Sequence, residues 1–198
     1  MKNFIKSIKL TLVFCALLAV CYVLVLWIFA QFAGPTRGDA PVATLHGKVV
    51  GAANVGQMFK KDIYFWGRPS CAGNGYDGTS SGGSNKAVSN KEYLTEVNHR
   101  ITNFLKHHPY LKRKDIPAEM VTASGSGLDP DISPQSAYIQ IRRIANARKC
   151  NENIIKSIVD RHIEKPLFGL FGPEKVNVLK LNIALDNIKT EKQNVQLN

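Results

Sequence analysis

Leu10 to Ala33 reads LTLVFCALLAVCYVLVLWIFAQFA, 24 consecutive positions without a charged side chain, a proline or a glycine. At ~1.5 Å of rise per helical residue the run spans roughly 36 Å, enough to cross a hydrocarbon core about 30 Å thick. It is the only such run in the chain, and it divides the sequence into one apolar helix and a polar remainder. A cleaved signal peptide has a shorter apolar core, about 7–15 residues, ending at a small-x-small site; Gln31-Phe32-Ala33 is a poor site of that kind. Leu18-Ala19-Val20-Cys21 only faintly resembles a lipoprotein cleavage box, because Val20 is too large and cutting there would split the apolar core. Residues 10–33 therefore read as an uncleaved transmembrane anchor behind a short segment, 1–9.

Lys2, Lys6 and Lys9 precede the run with no acidic residue to offset them, whereas Gly34 to Asp39 carry no net charge. Basic flanks stay on the cytoplasmic side. The N-terminus is thus expected on the cytoplasmic side and the chain from about Gly34 outside, with Trp27 and Phe29 near the far interface. Residues 34–198 carry 23 of the 26 Lys and Arg and all 15 Asp and Glu, a balance of about +8. Such a surface suits solubility, anionic headgroups or an acidic partner. Nucleic acid is a poor partner: the basic residues are scattered, Lys112-Arg113-Lys114 being the one tight cluster, and no zinc-finger or RNA-binding motif appears.

Cys15 and Cys21 lie within the anchor; Cys71 and Cys150 fall outside it, where an oxidising compartment would permit a bridge if they are close. The five histidines show no ligand spacing, and no metal site is expected. Residues 34–42 read as a linker, 43–186 as a single outer domain and 187–198 as a polar tail. Within the domain, Thr44–Phe59 suggests short strands with tight turns. Ile63-Tyr64-Phe65-Trp66 reads as a strand entering the core. Ser89 and Glu92 have capping-box spacing before a helical stripe of Leu94, Val97, Ile101, Phe104 and Leu105. Ser133-Pro134 starts a second helix, with Ala137, Ile141, Ile144 and Ala145 inward and Arg142, Arg143 and Arg148 on or near other faces. A third helix spans about Asn151–His162. Phe168–Pro173 is an apolar turn, and Val176–Leu185 alternates like a strand. Helices and strands mix without regular βαβ alternation, so the fold class is α+β: one N-terminal transmembrane helix and a single mixed extracytoplasmic domain.

Two loops stand out. Gly67–Asn85 holds six glycines and four serines in 19 residues, and a loop this long is usually functional or disordered; Trp66 and Tyr76 argue for order. Gly78-Thr79-Ser80-Ser81-Gly82 matches the G-x-S-x-G pattern of a hydrolase elbow, which needs a strand before it and a helix after it; neither is indicated, nor is a His–acid pair. Ser81-Gly82-Gly83-Ser84 has the composition that presents backbone N–H groups to an anion, or simply turns. Val121–Pro134, VTASGSGLDPDISP, packs Thr122, Ser124, Gly125, Ser126 and Gly127 before Asp129-Pro130, a strong turn signal. It either holds a ligand, docks a partner or only shapes the fold.

Taken together, Tyr64–Ser70 (YFWGRPS), Tyr76–Asn85 (YDGTSSGGSN), Val121–Pro134, Ile144–Arg148 (IANAR) and Val176–Asp186 (VNVLKLNIALD), in this order behind one anchor, resemble the C-subunit family of the bacterial Kdp potassium-transporting ATPases. The likeness covers nearly the whole chain. Lys86-Ala87-Val88 departs from the family's usual Leu-Gly-Pro, and Asp131 stands where His, Asn or Gln is common.

The resemblance implies an accessory, non-catalytic place in a four-part complex with a channel-like potassium-binding subunit, a P-type ATPase subunit and a small membrane peptide. It also implies a catalytic-chaperone role, raising the ATPase subunit's affinity for ATP. The serine–glycine stretch has been likened to the signature of ABC transporters, although no glutamine directly follows Ser81–Ser84 here. No cofactor is expected to bind stably to this chain; ATP enters through the complex. An outward domain cannot touch cytoplasmic ATP, so docking through the two loops is favoured over direct contact. The candidate docking or ligand residues are Trp66, Arg68, Tyr76, Asp77, Ser80, Ser81, Gly82, Gly83, Ser84, Asn85, Thr122, Ser124, Gly125, Ser126, Gly127, Asp129, Pro130, Arg148, Asn177 and Asn182. A free-standing anchored ligand-binding module is the alternative.

Overall fold

The computed structural model describes residues 1–195, which fall into two compact units, Met1–Pro41 and Val42–Asn198. The first is dominated by one helix, Lys2–Ala33: α1 (Lys2–Ala16), a π-helical stretch (Leu17–Tyr22) and α2 (Val23–Ala33). It begins well before the apolar run, taking in all three lysines. None of its residues is buried. From Leu10 onward the helix is apolar on every side, and such a helix, its backbone hydrogen bonds made within itself, suits hydrocarbon and not water.

The second unit opens with a hairpin, β1 (Val42–Leu45) against β2 (Lys48–Ala52). Its two-residue turn places His46 and Gly47 at φ 49° and 75°, as the right-handed twist of a tight hairpin demands. Helix α3 is Lys91–His107, and its cap is Asn90, not Ser89: the Asn90 side chain accepts from the Tyr93 amide at 2.9 Å. The capping pattern lay one residue off, because an equally good cap sat next to it. Ser133 caps the next helix as expected, accepting from the Ser136 amide, but that helix is broken into α4 (Pro134–Tyr138) and α5 (Ile141–Arg148). Asn151 caps α6 (Glu152–His162).

A small antiparallel sheet has β5 (Lys175–Asn177) between β3 (Asp131–Ile132) and β4 (Ile163–Glu164). The long strand expected over Val176–Leu185 is a correction. After three residues the chain turns into α7 (Val178–Val195), capped by the Asn177 side chain, which accepts from the Lys180 amide at 3.0 Å. Val178, Leu181 and Leu185 are buried at helical spacing. The helix also runs through most of the stretch expected as a polar tail; residues 196–198 of that tail lie outside the described residues. Cys71 and Cys150 are free thiols, so no bridge forms.

Phe65, Phe104, Ile132, Ile144, Ile155 and Leu181 centre one core between the helices and the small sheet. The segment Ile63–Trp66 enters that core, but not as a strand. Its backbone partners are side chains. Asn182 brackets Phe65, accepting from its N–H at 2.8 Å and donating to its carbonyl at 3.0 Å. Gln140 brackets Trp66 in the same way, at 2.8 and 3.2 Å. The carbonyls of Asp62 and Tyr64 accept from Arg143 at 2.7 and 3.0 Å, and that of Ile63 from Arg148 at 2.6 Å. Helices α5 and α7, with Gln140 at the break before α5, thus supply the ladder that a neighbouring strand would have provided, and no buried backbone group in the segment need go unpaired.

Arg143, expected away from the buried stripe, is instead buried, its guanidinium 4.2 Å over the Trp66 ring. Its Nε donates to Nε2 of His108 at 2.9 Å, while His108 Nδ1 bonds the Phe104 carbonyl at 2.8 Å. The second contact requires a proton on Nδ1 and the first requires a bare Nε2, so this histidine is neutral. Burial drives its pKa down, to about 4. An unfolded histidine titrates near 6.5, so between about 6.5 and 4 the unfolded chain binds a proton that the folded chain refuses, and stability falls as pH falls through that window. The loss should total roughly 3 kcal/mol and level off below pH 4. Melting curves of wild type and His108→Gln across this range provide the check: the variant starts less stable at neutral pH and lacks this component of the acid slope.

Candidate docking surface

The two glycine-rich loops are far apart in sequence and laced together in space. The Gly82 amide donates to the Ser126 carbonyl at 2.8 Å, and Ser81 Oγ donates to the same carbonyl at 3.0 Å. The Ser124 amide donates to the Pro69 carbonyl at 3.3 Å. At the base, Arg68 pairs with Asp129 at 3.0 Å and reaches the Ala123 carbonyl at 3.5 Å. The Arg68 Nε is buried without a hydrogen-bond partner, so the guanidinium is held by its two terminal nitrogens.

Ser70 is the hub. Its hydroxyl donates to the Gly127 carbonyl at 2.5 Å and accepts from the amides of Tyr76 at 2.7 Å and Ala72 at 3.2 Å. Tyr76 donates its phenol to the Arg68 carbonyl; burial, reinforced by Asp129, pushes its pKa up to about 12, so it stays a donor. Asp77 turns the chain outward by accepting from the Thr79 amide and hydroxyl at 2.9 and 2.7 Å, and those bonds hold its carboxyl below the usual range.

Close packing depends on glycine at one point above all. Gly127 has φ +70°, and a Cβ there would sit 2.7 Å from the Ala72 nitrogen and from the Gly82 oxygen. Gly83 lies close over Gly125, a Cβ on it meeting the Gly125 carbonyl at 3.0 Å. By contrast, a Cβ on Gly78, Gly82 or Gly125 meets nothing within 4 Å. The joint therefore has a tightly packed inner side and an open outer one, where Gly78, Thr79, Ser80, Ser81, Gly125 and Ser126 are exposed. Beside it, a cleft of about 290 Å³ is lined by Met58, Trp66, Arg68, Tyr76, Arg100 and Phe104, among others.

Gly78–Gly82 follows a turn and is followed by irregular chain, so it lacks the strand and helix of a hydrolase elbow. The remaining candidates lie in different places. Ser84 is half-buried, and Asn85 is exposed with φ 50°. Thr122 donates to the Ala118 carbonyl at 2.8 Å, and Pro130 accepts from the Val178 amide at 2.9 Å. Trp66 packs against the Arg143 guanidinium and lines the cleft, while Arg148, Asn177 and Asn182 face inward. Arg148 bonds Ile63, Leu185 and Asp186, and the Asn177 side-chain Nδ2 donates to the Ala53 carbonyl at 2.8 Å. Of the departures, Asp131 pairs with Lys175 at 2.7 Å and Lys86 with Glu92 at 3.8 Å.

Sequence reasoning did not single out Ser70, Gln140, Arg143 or His108. Gln140 was accessible: with Ile144 and Arg148 it forms an i, i+4, i+8 row on the stripe whose other members are core residues.

Comparison with known proteins decides the family. The model for KdpC, the K+-transporting ATPase c chain, matches residues 4–187. The chain belongs to the KdpC family. A potassium-transporting ATPase KdpC subunit of Phocaeicola vulgatus is 69% identical over 96% of this chain and all of its own length. That of Flavobacterium psychrophilum is 50% identical over the same shares, and that of Caldanaerobacter subterraneus 44% identical over 95% of this chain and 97% of its own. The chain is thus a KdpC-family subunit of a potassium-transporting ATPase, with one N-terminal apolar helix consistent with a single-pass anchor.

Proposed function

We propose that this subunit is the non-catalytic docking member of its complex. It presents the laced serine–glycine surface to the potassium-binding and ATPase subunits on the outer face of the membrane, with the small membrane peptide as the fourth component. In this role it stabilises assembly and raises the ATPase subunit's affinity for ATP through those partners, not by holding the nucleotide. The observation that carries the reading is the two-sided joint: its inner side is fixed by six backbone and side-chain contacts between the loops, while its outer side is short, polar and open. A surface with a rigid backbone and little side-chain entropy to lose suits protein docking.

The cleft beside Trp66 and Arg68 favours the second reading, a ligand-binding module; that reading requires the isolated full-length chain to saturate with a small ligand, without its partners.

Topology tests the first reading directly. A C-terminal alkaline phosphatase fusion, active only outside the cytoplasm, is expected to be active in intact cells, because Lys2, Lys6 and Lys9 precede the apolar run. An inactive fusion of full-length protein would reverse the orientation and bring Ser80–Asn85 within reach of cytoplasmic ATP.

A further inference from the structure

Between Pro166 and Pro173 there is no charged residue, and the apolar side chains do not fold inward. Leu167, Phe168, Leu170 and Phe171 are 64, 84, 80 and 67% exposed. Outside α1–α2, no other loop among the described residues exposes four large apolar side chains within five positions. The tip is closed, not frayed: Leu167 and Phe171 exchange backbone hydrogen bonds at 3.1 Å each. It also holds Phe168 at φ 55°, a conformation costly for a residue with a Cβ. Both flanks return directly into the small sheet, through β4 and β5, so the tip stands on a fixed base.

We propose that this tip inserts into the lipid–water interface of the membrane crossed by the chain's own helix. Three observations select lipid over a protein groove. Eight residues, 34–41, connect the end of α2 to the start of β1, and fully extended they reach at most roughly 29 Å, so the domain's first strand is tethered within that distance of the helix end. The tip is a narrow apolar hairpin, two leucines and two phenylalanines wide, whereas a stable protein interface needs roughly 800 Å² from each side. Its Phe and Leu side chains are of the kind that lies in the headgroup and acyl boundary, and the domain's surplus of positive charge favours anionic headgroups.

The test uses the full-length chain in vesicles of phosphatidylethanolamine and phosphatidylglycerol, alone and with the rest of its complex. The four native cysteines are changed to serine, and Phe168→Cys carries an environment-sensitive fluorophore; Asn146→Cys, at an exposed position on α5, serves as the aqueous reference. A blue-shifted emission, quenched more by a shallow nitroxide lipid than by a deep one and shielded from iodide, is expected in both preparations. Iodide quenching equal to that at Asn146→Cys would overturn the proposal. So would shielding that appears only with the other subunits and is untouched by nitroxide lipids, because the tip would then be seated on protein. The proposal rests on α1–α2 being membrane-embedded, which a separate variant retaining Cys21 as its single labelled cysteine reports. A Cys21 label not quenched by the deep nitroxide would overturn the anchor, and the proposal with it.

Discussion

Replacing Arg143 with methionine is expected to destabilise the domain by roughly 3–5 kcal/mol, the range for removing one partner of a buried charge network. For a domain of this size that is on the order of a 10 °C fall in melting temperature. The reasoning is local. Arg143 donates to His108 Nε2, to the carbonyls of Asp62 and Tyr64 and to Gln140 Oε1, at 2.7 to 3.0 Å, and its side chain is 3% exposed. Methionine fills much of the volume but leaves four acceptors facing an apolar side chain in a space water does not enter, and each unmade bond costs its desolvation. Burial lowers the guanidinium pKa only to about 10, so the group is charged at every physiological pH. Lysine keeps the charge but not the planar fork that reaches several acceptors at once, so Arg143→Lys should recover only part of the loss. Circular-dichroism melting of the full-length protein in detergent measures both. A methionine variant within 1 kcal/mol of wild type would mean that the Ile63–Trp66 segment is held chiefly by Asn182 and by packing of Phe65.

That segment also marks where sequence reading stopped. The N-terminal apolar helix was legible because a run of 24 residues without charge, proline or glycine favours one long helix. Most of the helices were legible because apolar spacing and capping side chains agree: Ser133 and Asn151 cap where the pattern starts. Ile63–Trp66 carried the composition of a strand because it is apolar and delivers Phe65 to the core, but composition does not say whether its backbone partner is a strand or the amides and guanidinia of two helices. Val176–Leu185 failed for another reason. Its apolar residues are dense enough to satisfy a period of two and a period of 3.6 together, and only the Asn177 cap distinguishes them. The site was half legible. Glycine and serine content marked both loops as unusual, but spacing within a loop carries no information about which other loop it meets, so Ser70 and the Arg68–Asp129 pair emerged only in three dimensions.

The joint between those loops supplies the sharpest functional prediction. Gly127→Ala is expected to abolish potassium-dependent growth at limiting potassium and co-purification with the partner subunits, while leaving membrane insertion and most of the thermal stability intact. The positive φ alone costs about 1–3 kcal/mol for a residue with a side chain. The new Cβ would stand 2.7 Å from two backbone atoms, Ala72 N and Gly82 O, neither of which can swing aside as a side-chain terminus would. Relief requires the loops to separate, breaking the contacts of Gly82 and Ser81 with Ser126 and of Ser70 with Gly127. The helical core around Phe65 and Leu181 need not follow. Gly78→Ala is the matched control: no atom lies within 4 Å of its Cβ, and assembly should survive. Ser80→Ala separates geometry from chemistry. If docking depends on the fixed backbone surface, removing that one hydroxyl leaves uptake near normal; if it abolishes uptake while Gly127→Ala is tolerated, the serine itself acts on a substrate and the docking reading fails.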